Sequence, residues 1–117
     1  MPARSKPPAA FLPLKPRIFL MLLTLAQGPR HGYALKEALR QKTSGRLNLG
    51  PGTLYRTIRH LEEHGLIEET AEAPDPADDD ERRIYYRITP LGRDVAAAEA
   101  GRLEELLALA RAERLIT

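Results

Sequence analysis

Glycine and proline divide the first half of this chain so sharply that few folds remain open to it. Gly28-Pro29, Gly45, Gly50-Pro51-Gly52 and Gly65 cut residues 14–65 into three short segments. A proline in the first helical turn gives up an N–H that has no intrahelical partner anyway, and a glycine just past a helix end takes the left-handed turn that closes it. The breaks therefore read as helix starts and stops. Pro16 opens the first segment, and the apolar run 18–26 fills it up to the stop at Gly28-Pro29. That run falls short of the ~20 residues a membrane span requires, so it predicts a buried core helix and no membrane partner. A second helix is expected over about residues 31–42, where Tyr33, Ala34, Ala38 and the pair Leu35/Leu39 recur at three- and four-residue spacing between polar Lys36, Arg40 and Gln41. Gly45 closes it, Arg46-Leu47-Asn48 reads as a link with the character of a minor strand, and a third helix runs from Gly50-Pro51-Gly52 to His64 and stops at Gly65.

Beyond Gly65 the period changes from helix to strand. Ile84, Tyr86 and Ile88 alternate onto one face, and residues 66–70 supply an antiparallel partner rich in strand formers. The connection from Ala71 to Arg83 holds Pro74, Pro76 and the acids Asp75, Asp78, Asp79, Asp80 and Glu81, too polar for a core and expected as an exposed tip. Thr89 is a good helix N-cap and Pro90 a good first helical residue, so a last helix is expected from there to about Arg114. At ~1.5 Å per residue it is longer than a small three-helix core needs. Ala96, Ala100, Leu103, Leu107 and Ala110 recur on it at four- and three-residue intervals, and Leu106 and Leu109 widen the stripe. The stripe either folds back on its own domain or pairs with a second copy. A homodimer is preferred, because an exposed apolar stripe is a liability in a monomer.

The expected fold is thus mainly α with a small β-hairpin: a winged helix-turn-helix plus a C-terminal dimerisation helix. Residues 1–13, with their prolines and little periodicity, are expected as a flexible arm, 14–89 as the winged domain and 90–117 as the dimerisation helix. A length of 117 residues suits one domain. The absence of cysteine removes a disulfide framework and thiolate metal sites. Pro7, Pro8 and Pro13 interrupt the apolar stretch that a signal peptide would need, so a cytoplasmic location is expected.

Charge is distributed unevenly along the chain. Residues 1–65 carry 11 Lys/Arg against 3 Asp/Glu, whereas residues 66–117 carry 7 against 13. A basic N-terminal half suits a polyanion such as double-stranded DNA, whose affinity comes largely from released counterions. Ordinary solvated surface charge is the plainer alternative.

In a winged helix-turn-helix the third helix is the one that enters the DNA groove. Leu54, Ile58 and Leu61 lie on one face of it and are expected in the core, which turns Gly52, Arg56, Arg59 and Glu63 outward with Thr53 and His60 on one flank and Tyr55 on the other. Arginine can grip guanine O6 and N7 with two bonds, and helix N-terminal amides attract phosphate. Thr53, Tyr55, Arg56, Arg59 and His60 are therefore the expected DNA contacts on this helix, with Arg56 and Arg59 foremost. Glu62 and Glu63 repel phosphate and imply that the C-terminal end of the helix lifts from the groove. Tyr55 either meets DNA or packs between helices with its hydroxyl wet. Arg82 and Arg83 either hold phosphate or offset the neighbouring acids, the phosphate role being preferred. The acidic tip argues against insertion of the wing into the minor groove.

Three blocks of residues resemble the PadR family of bacterial transcriptional regulators, in the form with a single short C-terminal helix. They are His31-Gly32-Tyr33-Ala34-Leu35; Gly52-Thr53-Leu54-Tyr55 through Leu61-Glu62 and Gly65-Leu66-Ile67; and Arg83-Ile84-Tyr85-Tyr86-Arg87-Ile88-Thr89-Pro90-Leu91-Gly92. The resemblance implies a dimeric repressor whose C-terminal helices pair, which binds an inverted-repeat operator and is often released by a small-molecule effector. It also implies Tyr55 as a DNA contact. The chain has no tryptophan, so the aromatic stacking of drug-binding relatives is missing from it.

Two other functional classes fit parts of the sequence. His60-Leu61-Glu62-Glu63-His64 matches an H-x-x-E-H zinc-hydrolase pattern, but it lies inside the expected reading helix, and a site would still need another ligand, a cavity and excluded water in a small domain. No enzyme, catalytic residue, metal or cofactor is expected. A winged-helix protein-interaction module without specific DNA binding is the alternative function, since fold does not dictate function.

Overall fold

The computed structural model describes residues 6–72 and 83–117. Expectations for the acidic tip and for Arg82 lie outside the described residues. The elements in chain order are α1 (Pro16–Ala26), β1 (Arg30–His31), α2 (Gly32–Lys42), α3 (Pro51–Glu63), β2 (Ile67–Thr70), β3 (Tyr85–Ile88) and α4 (Pro90–Ala112), preceded by a 3-10 turn at Pro8–Phe11. Four helices thus surround a small antiparallel sheet of order β1-β3-β2. Ile67 pairs with Ile88 and Thr70 with Tyr85 across the hairpin, while Arg30 and His31 pair with Tyr86 and Tyr85 on the other edge of β3.

That third strand corrects the sequence reading, which put strand character at Arg46-Leu47-Asn48. The link 46–48 is irregular, and Arg30–His31 supplies the strand because it lies beside β3, whose second edge needs a partner. The wing face is also shifted. Ile84 precedes the strand and is 51% exposed, whereas Tyr85 and Tyr86 are both buried. Alternation fails here because β3 is central and covered on both faces: the Tyr85 ring meets the His31 ring edge-on at 5.4 Å, and Tyr86 joins the main core. Tyr33, counted with the apolar face of α2, is exposed instead.

The core gathers Met21, Leu22 and Leu25 of α1, Leu35 and Leu39 of α2, Leu54, Ile58 and Leu61 of α3, and Val95 and Ala96 of α4. The N-terminal segment is not the free arm that its prolines suggested from residue 8 onward. Phe11, Leu12 and Leu14 pack against the core, and the 3-10 turn lies along α4. Under this strap sits Glu99, 2% exposed. Its carboxylate accepts from Arg102 Nε at 2.7 Å and Nη2 at 2.8 Å. The Arg102 hydrogen bonds hold Glu99 below the usual carboxylate range against the opposing effect of burial, and the Leu14 backbone N–H assists.

Helix ends explain the turn geometry. α3 closes with Leu66 N–H donating to the Leu61 carbonyl at 2.9 Å and Gly65 N–H to Glu62 at 3.0 Å, with Gly65 at φ +73°. α2 closes the same way, but Ser44 takes the left-handed position at φ +53° and Gly45 follows it. α4 starts on a clamp: Thr89 Oγ1 donates to the Gly65 carbonyl at 2.6 Å and accepts from Gly92 N–H at 3.0 Å, while Thr89 N–H donates to the Leu66 carbonyl at 3.1 Å. Gly92 is pressed so closely on this turn that a Cβ would fall on the Leu66 carbonyl oxygen.

Gly92→Ala, which in an open helix would gain about 1 kcal/mol, is expected to cost about 3 kcal/mol through the backbone clash, whereas Ser44→Gly should gain up to about 1 kcal/mol; urea unfolding measures both. The buried pair is expected to be asymmetric, because Arg102 is a third exposed and can turn to water while Glu99 cannot. Arg102→Met should therefore lower the Tm more than Glu99→Gln at pH 7. In the wild type the depressed pKa of Glu99 gives stability that is present above its unfolded value and lost as pH falls through the folded one. Without Arg102 burial raises that pKa instead, so the deficit of Arg102→Met should shrink between pH 7 and pH 4.

Candidate nucleic-acid interface

α3 is amphipathic in the simplest sense. Leu54, Thr57, Ile58 and Leu61 are buried, and Thr57 satisfies its hydroxyl on the Thr53 carbonyl at 2.8 Å. The opposite side presents Gly52, Arg56, Arg59, His60 and Glu63 to solvent, with Thr53 half-buried at the edge. Arg56 Nη2 lies 3.2 Å from Thr53 Oγ1, a contact that aims the guanidinium along the first turns of the helix. Pro51 occupies the first helical position, and Gly50 caps without a side chain, so the helix presents backbone N–H groups at its start.

Tyr55 packs against a neighbouring helix and keeps an exposed side. Its ring leans on the start of α2, where a Cβ on Gly32 would stand 2.7 Å from the phenolic oxygen, yet the residue is 48% exposed. Gly32 is thus the residue that lets α2 and Tyr55 approach, a role not visible without knowing which helices meet. Beside Tyr55 a hollow of about 210 Å³ is bounded by His31, Tyr33, Arg83 and Tyr86. His31 Nδ1 accepts from Ala34 N–H at 3.2 Å and caps α2, and Arg83 Nη1 stands 3.0 Å from His31 Nε2. Arg83 therefore lies at the α2 start, on the Tyr55 flank of α3. Burial, together with Glu62 and Glu69, pushes the Tyr86 hydroxyl up to about 12, so it remains a neutral donor.

The other flank of α3 borders a cleft of about 420 Å³. Thr53, Arg56, Thr57 and His60 form one wall, and Lys15 and Arg17 at the start of α1 form the other, above a floor that includes Phe11, Leu14 and Ile18. Neither Lys15 nor Arg17 was singled out by the sequence pattern. Burial first, then the nearby His64, Lys15 and Arg17, lower the His60 pKa against the pull of Glu63. The His60 and His64 rings stand 4.5 Å apart, and among the described residues no group of three metal-ligating side chains forms around them.

On α4 the stripe separates into two parts. Ala96 is 8% exposed and belongs to the core of its own domain, which corrects its place among the dimerisation residues. Ala100, Leu103, Leu106 and Leu107 are exposed and Ala110 is half-buried, and Leu109 adds a further exposed leucine.

The model of the transcriptional regulator PadR-like family matches residues 21–98. The chain belongs to that family. A transcriptional regulator from Clostridium thermocellum has the same fold at a TM-score of 0.67 and 26% identity, covering 81% of this chain and 86% of that one. RosR of H. salinarum matches at a TM-score of 0.62 and 25% identity over 90% of this chain and 89% of its own. A 37.1 kDa protein in transposon TN4556 of Streptomyces fradiae is 36% identical over 87 residues, 74% of this chain, and the chain spans 23% of that relative's length. A winged helix in the transcriptional regulator PadR-like family is consistent with a DNA-binding regulator. Among the described residues no helix is long and apolar enough to cross a membrane.

The lowered pKa of His60 makes a testable prediction. Its imidazole resonance should titrate below the ordinary value of 6.5. As pH falls past that value the unfolded chain takes up the proton first, so stability is lost on acidification through this window. Unfolding measured at pH 7 and pH 5.5 should show a smaller loss in His60→Gln than in the wild type.

Proposed function

We propose that this protein is a cytoplasmic, dimeric repressor that lays α3 in the major groove of an inverted-repeat operator and pairs with a second copy through the outer half of α4. The observation that carries the reading is the sorting of α3, whose exposed face holds Arg56, Arg59 and His60 directly above a fully buried face. Arginines on such a face match the donor geometry that guanine asks for in the major groove. Thr53 and Tyr55 flank them, and Arg83 stands on the Tyr55 side in position to hold a phosphate. Arg82, its chain neighbour, is assigned the same role from sequence alone.

Pairing is supported by the row of exposed leucines at 103, 106, 107 and 109, which extends beyond the last core contact of α4 at Glu99. A symmetric dimer presents two copies of α3, and a two-fold reader calls for a palindromic site. Release by a small-molecule effector is carried over from the family resemblance.

Charge reversal and stripe disruption test the two halves separately. Arg56→Glu/Arg59→Glu is expected to abolish binding to a duplex covering the region upstream of the protein's own gene, measured by fluorescence anisotropy, with dimerisation preserved in sedimentation. Leu103→Lys/Leu107→Lys is expected to sediment as a folded monomer with weakened duplex binding. Retained DNA binding in the first variant would favour the interaction-module alternative, and a surviving dimer in the second would refute pairing through α4.

A further inference from the structure

The cleft on the far side of α3 from Tyr55 gathers basic side chains with no carboxylate among its lining residues. It brings Lys15 and Arg17 against Arg56 and His60, with Thr53 and Thr57 on the same wall. Among the described residues none of the three cations enters an ion pair. Fixed like charges gathered in one cleft repel, and an anion relieves the repulsion. The Arg17 Nε, on a side chain that lines the cleft, is buried without a hydrogen-bond partner among the described residues. A buried donor of that kind is costly until something accepts from it.

We propose that this cleft seats a backbone phosphate of double-stranded DNA, with Lys15 and Arg17 as its anchoring contacts. The proposal rests on the reading of α3 as the groove-entering helix and adds residues outside that helix. Thr53 and Arg56 belong at once to the cleft wall and to the reading end of α3, so a phosphate in the cleft lies beside the bases that Arg56 reaches. A helix in the major groove runs between two sugar-phosphate strands. α3 has a cation on each flank to meet them, Arg83 on the Tyr55 side and the Lys15/Arg17 pair on the His60 side. Contacts of this kind position the protein without reading sequence.

Because phosphate contacts are sequence-independent, the test needs no operator. Anisotropy of a random-sequence 30-base-pair duplex, and of the upstream-region duplex, is followed from about 50 to 200 mM salt for wild type, Lys15→Gln, Lys15→Gln/Arg17→Gln and the control Arg111→Gln. The double variant is expected to bind both duplexes several-fold more weakly and to lose about 0.9 from the slope of log K against log salt, the value of one phosphate contact. Lys15→Gln, which alters only an exposed side chain, should move the same way by less, and Arg111→Gln should leave the slope unchanged. Wild-type binding with an unaltered slope in both cleft variants overturns the proposal while leaving the α3 reading intact; no duplex binding by the wild type overturns both. A free phosphate compound as the natural occupant predicts a different pattern. Inorganic phosphate at constant ionic strength would shift the His60 resonance in DNA-free wild type but not in the double variant, while the salt slopes stayed equal, and that result also overturns the DNA source.

Discussion

The crossing of α4 over the turn that ends α3 is the contact on which the rest of this molecule depends. Gly65 ends α3, Leu66 leads into β2, and Thr89 and Gly92 lock α4 onto both through backbone carbonyls. Backbone-to-backbone contact of this closeness leaves little slack, since neither side has a rotamer with which to yield. The orientation of α4 is thereby tied to that of α3. Thr89 and Gly92 stand in the sequence as an N-cap and an unremarkable helical glycine, yet they decide how two otherwise separate surfaces face the world.

Much of this was legible in the sequence because it is governed by local rules. Gly28-Pro29, Gly50-Pro51 and Gly65 mark helix ends through backbone stereochemistry that needs no tertiary partner. The Leu54-Ile58-Leu61 spacing identified the buried side of α3, and the exposed positions of Arg56, Arg59 and His60 followed from it. What escaped was decided by neighbours distant in the chain. Arg30–His31 is a strand only because β3 has a free edge there, and Tyr85 and Tyr86 are both buried only because that edge is filled. Gly32 matters through Tyr55, and Lys15 and Arg17 matter through the helix that begins thirty-odd residues later. Ala96 satisfied the heptad spacing but lies within reach of its own core, because the stripe runs continuously from an intramolecular face to an exposed one.

The N-terminal strap joins α4 to the cleft beside α3. Its 3-10 turn and Leu14 lie on α4 over the Glu99–Arg102 pair, and the next residues, Lys15 and Arg17, form the outer wall of the cleft beside α3. The buried carboxylate is costly by itself and gains its place by bonding Arg102 and the Leu14 N–H together. It therefore acts as a register mark: the strap can slide along α4 only by exposing a buried charge to apolar surroundings. Fixing Leu14 in this way also fixes where the cations one and three residues later stand relative to Arg56 and His60.

The outer half of α4 differs in kind from everything else in the fold. From Leu103 to Leu109 each residue is exposed, so these turns gain nothing from their own domain. Isolated helix of this length is marginal in water, and its apolar side makes an undocked state less favourable still. Under the proposed pairing its order would depend on the second copy, and the assembly would be concentration-dependent while the winged domain is not. In the proposed dimer the rigid crossing at Gly92 would act as the transmission, because two α4 helices locked together would hold two α3 helices at one fixed separation. A monomer would keep an intact reading face and still lose the spacing between half-sites, so affinity for a palindrome would fall by the loss of the second, effectively intramolecular contact rather than by any change in α3.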